Sequence, residues 1–193
     1  MASIIAFWKN NEQPIMKKWQ LLMLLLSCSV SAQNAQLEDI GIKKQANHWL
    51  ITPHYQLTLS EAIIEAIENG IEITVISECQ LLVEKNWWPD RVLTTASQKF
   101  EIHFFSLSSQ YQLRGINHDY LAPFPSLSDL LAQLGQKTIF QLADTAEASI
   151  ARCRLYLDQR ALPSTMQLPV LWDDKWSLDS NWHRRPLAAG VRP

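Results

Sequence analysis

From Ile71 the chain alternates with period two. Ile71, Ile73, Val75, Cys79, Leu81 and Val83 fall on one side of an extended backbone, and Glu72, Thr74, Glu78, Gln80 and Glu84 on the other. Successive strand side chains point to opposite faces, so this pattern predicts a long strand with one buried and one wet face. The same rhythm sets Phe100, Ile102 and Phe104 against Lys99, Glu101 and His103, and Tyr111 and Leu113 against Gln110, Gln112 and Arg114. It returns with Ala151, Cys153, Leu155 and Leu157 against Arg152, Arg154, Tyr156 and Asp158. Tyr55, Leu57 and Leu59 mark an earlier strand, while Trp176 and Leu178 between Ser177 and Asp179 predict a last one that seals the core. Long strands with one wet face predict a mainly β fold with two short helices, an antiparallel β-sandwich or twisted sheet.

The helices stand where the period changes. Ser60 is placed to cap a first helix carrying Ile63, Ala66 and Ile67 on one stripe, and Asn69-Gly70 stops it. Ser126 with Asp129 resembles a capping box; Leu127, Leu130, Leu131 and Leu134 face inward, and Gly135 ends the turn. Prolines at 89, 123, 125, 163 and 169 punctuate the rest. These boundaries predict a single β-rich domain over residues 47–183, after a flexible N-terminus at 33–46 and before a disordered tail at 184–193.

Residues 1–32 read as a leader. Lys17 and Lys18 precede the apolar run Leu21 to Leu26, and Val30-Ser31-Ala32 forms a small-x-small cleavage site, the three parts of a secretory signal. Lys9, Glu12 and Pro14 fit no such signal, which points to Met16 as the true start. The apolar run is about half the ~20 residues a spanning helix needs. Leu25-Leu26-Ser27-Cys28 approaches a lipoprotein signal with Cys28 acylated, but Leu26 is bulky where such signals carry a small residue. The expectation is a cleaved, periplasmic protein that begins at Gln33 and has no integral membrane span.

Charge narrows the partners. The chain has 17 basic and 19 acidic side chains; the leader holds three of the former and one of the latter, leaving 14 against 18, a net charge of −4. Nucleic acid binding needs a basic excess that is missing here, so neither nucleic acid nor an anionic membrane surface is an expected partner. Five glycines in 193 residues supply no phosphate-cradling loop. Cys79 and Cys153 lie on apolar sides of their strands and either form a disulfide or pack as buried thiols. Neither has a CxxC or histidine partner for zinc.

The order of small motifs adds a family resemblance. Leu59-Ser60 leads into a helix closing on Asn69-Gly70 and an immediate long strand. Trp87, Trp88 and Asp90 follow, then a strand to Tyr111, the helix start Phe124 to Leu127, a Leu-Asp-x-x-x-Leu-Pro step from Leu157 to Pro163, and a closing stretch from Trp176 to Trp182. This resembles the exported proteobacterial proteins of the domain of unknown function 4390 family over nearly all of the mature chain. The resemblance implies a periplasmic or envelope-associated protein whose genes neighbour an envelope sensor kinase and its response regulator, and so suggests that kinase as a partner. Lys85 and Asn86 before Trp87, and Pro89 after Trp88, depart from the family pattern.

Trp87, Trp88 and Asp90 are the candidate binding residues. Adjacent tryptophans on a turn suit stacking on a sugar ring, a peptide or another protein, and tryptophan is enriched at hot spots. As a structural alternative, strand-end tryptophans cap a core, and Asp90 bonds its own turn. Neighbours on a strand point apart, so one of the pair is expected to pack and the other to be exposed. Asp173, Asp174 and Asp179, near Trp172, Trp176 and Trp182, suggest paired carboxylates for hydrolysis or a cation, but Asp173-Asp174 before Lys175 also reads as a hairpin turn. His48, His54, His103, His118 and His183 have no metal-binding spacing, and Ser106, Ser108 and Ser109 lack a nucleophile-elbow context. With no cofactor, metal or catalytic residues indicated, the expectation is a non-catalytic interaction module. A carbohydrate- or peptidoglycan-binding domain is the first alternative, a periplasmic hydrolase the second.

Overall fold

The computed structural model describes residues 35–85, 87, 89–115 and 123–187. All of them fall in one compact unit. The leader, its cleavage site, Cys28, Trp88, His118 and the end of the tail lie outside the described residues.

Among the described residues eight strands form two antiparallel sheets, as the alternation predicts. A three-stranded sheet has the order β1 (Ala35–Gln45), β2 (His48–Leu57), β6 (Phe140–Ala143). A five-stranded sheet has the order β5 (Gln110–Gly115), β4 (Arg91–Phe105), β3 (Ile73–Val83), β7 (Ile150–Leu157), β8 (His183–Pro186). Their inner faces meet in a single core. Trp49, Ile51 and Tyr55 come from the smaller sheet, and Ile73, Val75, Leu81, Ile102, Leu113, Ala151 and Leu155 from the larger. Removing this apolar surface from water is the main favourable contribution to the fold.

Helix α1 (Glu61–Glu68) begins on Ser60, whose hydroxyl accepts the Ile63 N–H, and stops at Gly70, where φ is +82°. Helix α2 (Leu127–Lys137) begins on Ser126, which accepts the Asp129 N–H. Both starts agree with the capping pattern. Gly135, expected to end α2, instead lies buried within it. A Cβ there would stand 2.1 Å from the Tyr55 carbonyl oxygen, so glycine lets the helix press onto β2.

Other expectations need correction. A third helix, α3 (Ser164–Val170), contains Pro169 and ends soon after it. Residues 35–45, taken as part of a flexible N-terminus, form β1. Its alternation slips at Glu38, where a bulge puts both Leu37 and Ile40 inward and hides the period. Residues 184–186, expected in the tail, continue from His183 as the edge strand β8, and Leu187 beyond it is buried. The predicted last strand at Trp176–Asp179 is instead a 3₁₀ turn (Asp174–Trp176) followed by a single bridge from Asp179 to Tyr156. Asp173-Asp174 therefore opens a 3₁₀ turn, not a hairpin. The outer side of β3 is also drier than its polar pattern implies: Thr74, Ile76 and Leu82 are buried, because β3 is the middle strand of five.

Cys79 and Cys153 are direct partners across β3 and β7, with Cα atoms 4.2 Å apart, and form a disulfide within the core.

Candidate functional site

The outward faces of β3, β7 and β8 carry a connected array of charged and aromatic side chains. Register sets it up. Gln80 pairs with Arg152, which pairs with Arg184; in the next row Glu78 pairs with Arg154. Alternation puts all five side chains on the face opposite the disulfide.

The rows are locked by hydrogen bonds. Arg152 donates from Nε and Nη2 to Gln80 Oε1 at 2.9 and 2.7 Å. Arg154 donates from Nη2 to Glu78 Oε2 at 3.1 Å, and Gln80 Nε2 donates to Glu78 Oε1 at 2.7 Å. Across the rows the contacts are stacked. The Arg152 and Arg154 guanidinium carbons each lie 4.4 Å from the Trp182 ring centroid, and that of Arg154 lies as close to the Tyr156 ring. Each such contact contributes about 0.5–1 kcal/mol at exposed sites and more when desolvated. The stack orders four long side chains without burying them. Burial first, and then the charge of Arg184, pull the Arg152 guanidinium below its ordinary pKa, while Asp90 and Glu78 act the other way.

Asp90 joins this face to the expected tryptophan loop. Its carboxylate accepts the Lys85 N–H over a long 3.5 Å and meets Arg184 at 2.7 Å. The first contact is the turn bond expected for Asp90; the second depends on register between distant strands and was not visible in the sequence. Trp87 projects from the same loop and is 93% exposed, so it does not cap the core. Trp88, its expected opposite, lies outside the described residues.

The remaining candidates do not converge. Asp173 accepts the Lys175 N–H at 3.1 Å and Asp179 the Asn181 N–H at 2.8 Å, so each carboxylate caps its own turn. His48 and His54 are exposed six residues apart on β2, His183 is exposed on β8, and His103 packs against Phe105. Among the described residues no group of three or more His, Cys, Asp or Glu is placed to hold a metal ion. None of their helices is long and apolar enough to cross a membrane. A groove of about 830 Å³ runs between the end of β2, α1 and α2, lined mainly by Leu57, Leu59, Ile64 and Leu131. Leu168, Leu171 and Trp172 form an exposed apolar patch on and after α3.

No curated protein and no solved structure matches the chain. The family described as Domain of unknown function (DUF4390) matches residues 32–186, most of its length and both sheets, and the chain belongs to that family.

Proposed function

We propose that this chain is an exported, periplasmic, non-catalytic interaction module, and that it docks through the outward face of β3, β7 and β8 together with the Trp87 loop. One observation carries the reading: the loop of the almost fully exposed Trp87 is tied through Asp90 and Arg184 to the strand face that holds an ordered stack of Arg152, Trp182, Arg154 and Tyr156. Arginine and aromatic side chains dominate the energetics of protein interfaces, and pre-ordered ones lose less entropy on binding. Turn-capping roles for Asp173 and Asp179 favour a non-catalytic protein. The secretory pattern before Gln33 and the Cys79–Cys153 disulfide both suit an oxidising compartment. The envelope sensor kinase suggested by the family resemblance is the first partner to test.

The test is a photo-crosslinking residue at Trp87 in growing cells, followed by fractionation and mass spectrometry of the adducts. A discrete envelope protein should be captured from Trp87 and not from Glu65, which is exposed on α1. Identical adducts at both positions, or recovery of the protein from the cytoplasm, would sink the reading. The exposure of Trp87 also supports a second reading, carbohydrate or peptidoglycan binding by stacking. In that case soluble cell-wall fragments should shift the tryptophan emission of the wild type and not of Trp87→Ala.

A further inference from the structure

We infer that Arg152 and Arg184 form a receptor for one carboxylate side chain of a protein partner. This inference rests on the proposed docking role of the face and names the chemistry that the face would recognise.

The two rows of the face differ in one respect. Opposite Arg154 the strand β3 supplies an acid, Glu78; opposite Arg152 it supplies an amide, Gln80. Gln80 Oε1 takes two N–H groups of Arg152 and so satisfies geometry, but it brings no charge. On its other side Arg152 faces Arg184 directly across β7 and β8. Like charges directly opposite on a sheet are destabilising. Asp90 reaches Arg184 at 2.7 Å, while Arg152 forms no ion pair among the described residues. The group holds three guanidinium ions, Arg152, Arg154 and Arg184, against two carboxylates, Glu78 and Asp90, which leaves one positive charge.

That charge is pre-ordered. Stacking of Arg152 on Trp182 fixes the guanidinium plane, and the hydrogen bonds to Gln80 occupy only Nε and one N–H of Nη2. The fork between Nη1 and Nη2 keeps its donors, the arrangement that accepts a carboxylate through two parallel bonds. A single uncompensated charge flanked by Glu78 and Asp90 suits a monoanion better than a phosphate dianion. Trp87, three residues from Asp90 in sequence and almost fully exposed, offers an apolar contact on the loop that Asp90 ties to Arg184. An acidic residue beside an apolar one on a partner protein fits both features.

The experiment titrates the mature protein with a blocked hexaglutamate peptide, a blocked hexalysine peptide and inorganic phosphate, and follows the Nε–H signals of Arg152 and Arg184 by NMR. Without its leader the chain has 14 basic against 18 acidic side chains, a net charge of −4, so general attraction does not favour the acidic probe. Hexaglutamate should shift both signals saturably, and the other two probes should not. Gln80→Glu supplies the missing carboxylate within the fold; it should weaken the peptide at least tenfold and raise the melting temperature. Arg152→Lys keeps the charge without the fork, so it should weaken the peptide several-fold and guards against misfolding of the first variant. An unresponsive Arg152, equal shifts with phosphate, or undiminished binding by folded Gln80→Glu would overturn the inference. Partner capture at Trp87 that survives Gln80→Glu undiminished keeps the interaction module and removes this receptor. Peptide binding in cells that show no captured partner keeps the receptor and removes the module.

Discussion

The hydroxyls of Tyr55, on β2, and Ser77, on β3, meet at 2.8 Å between the two sheets, and the phenol also donates to the Arg154 carbonyl at 3.1 Å. Ser77 is fully buried, so this polar bridge lies out of reach of bulk water. Tyr55→Phe leaves Ser77 and the carbonyl without their partner and should cost about 1–3 kcal/mol in urea unfolding. Burial also raises the phenol pKa well above its ordinary value, against a smaller opposing effect of Ser77. A raised folded pKa means that the contribution is complete below about pH 10 and declines as pH rises beyond it. The difference between wild type and Tyr55→Phe should therefore narrow in strong alkali.

The same tyrosine sets the limit on α2. With its carbonyl oxygen 2.1 Å from where a Cβ of residue 135 would sit, and backbone atoms on both sides, the contact cannot relax through a side chain. Gly135→Ala should cost about 1–3 kcal/mol although alanine is the better helix former. A thermal melt that shows stabilisation would mean that α2 does not approach β2 this closely.

Much of the large sheet is legible because its strands show a period of two, cleanly in β7 and through most of β3. The elements that were missed have physical reasons. The bulge at Glu38 breaks the period of β1, β6 is only four residues long, and His183–Pro186 carries no apolar side chain to show alternation. Gly135 was misread because a helix-ending glycine and a close-packing glycine look alike in sequence. Of the site, Trp87 and Asp90 were legible as a turn. The stack of Arg152, Trp182 and Arg154 was not, because it exists only once β8 is registered on β7.

The disulfide closes a loop of 74 residues in sequence separation. By the chain-entropy estimate, cross-linking a loop of that length stabilises by about 4 kcal/mol, and loss of a native disulfide typically costs about 2–5 kcal/mol. The double variant Cys79→Ala, Cys153→Ala should unfold at a clearly lower urea midpoint than the oxidised wild type, and reductant should destabilise only the latter. Free-thiol titration of the folded, oxidised protein should find neither cysteine reactive.

Asp144 is clamped by Lys44 at 2.7 Å and by the Trp49 indole N–H at 2.7 Å, with Lys44 lying over the Trp49 ring. The hydrogen bond from Lys44 is the largest cause holding its carboxyl below the ordinary aspartate value; burial opposes it, and the bond from Trp49 reinforces it. A depressed folded pKa means stability that is present above the unfolded value near 4 and lost as pH falls through the folded one. Asp144→Asn should accordingly be less stable than wild type at neutral pH, with the gap closing below about pH 4. A gap that persists at pH 2 would assign the effect to packing around Trp49.

Trp87 separates binding from packing most directly. Its ring is 93% exposed, so truncation removes no buried surface from the core. Surface changes of this kind usually alter stability by within about 0.5 kcal/mol, whereas an interface tryptophan can carry 2 kcal/mol or more of binding. Trp87→Ala should therefore melt like the wild type and bind the partner identified by crosslinking at least tenfold more weakly. Trp182→Ala is the informative contrast. It removes the ring on which Arg152 and Arg154 stack and should lower both stability and capture. If Trp87→Ala instead lowers the melting temperature as much as Trp182→Ala does, the loop packs in solution and the docking face must be drawn without it.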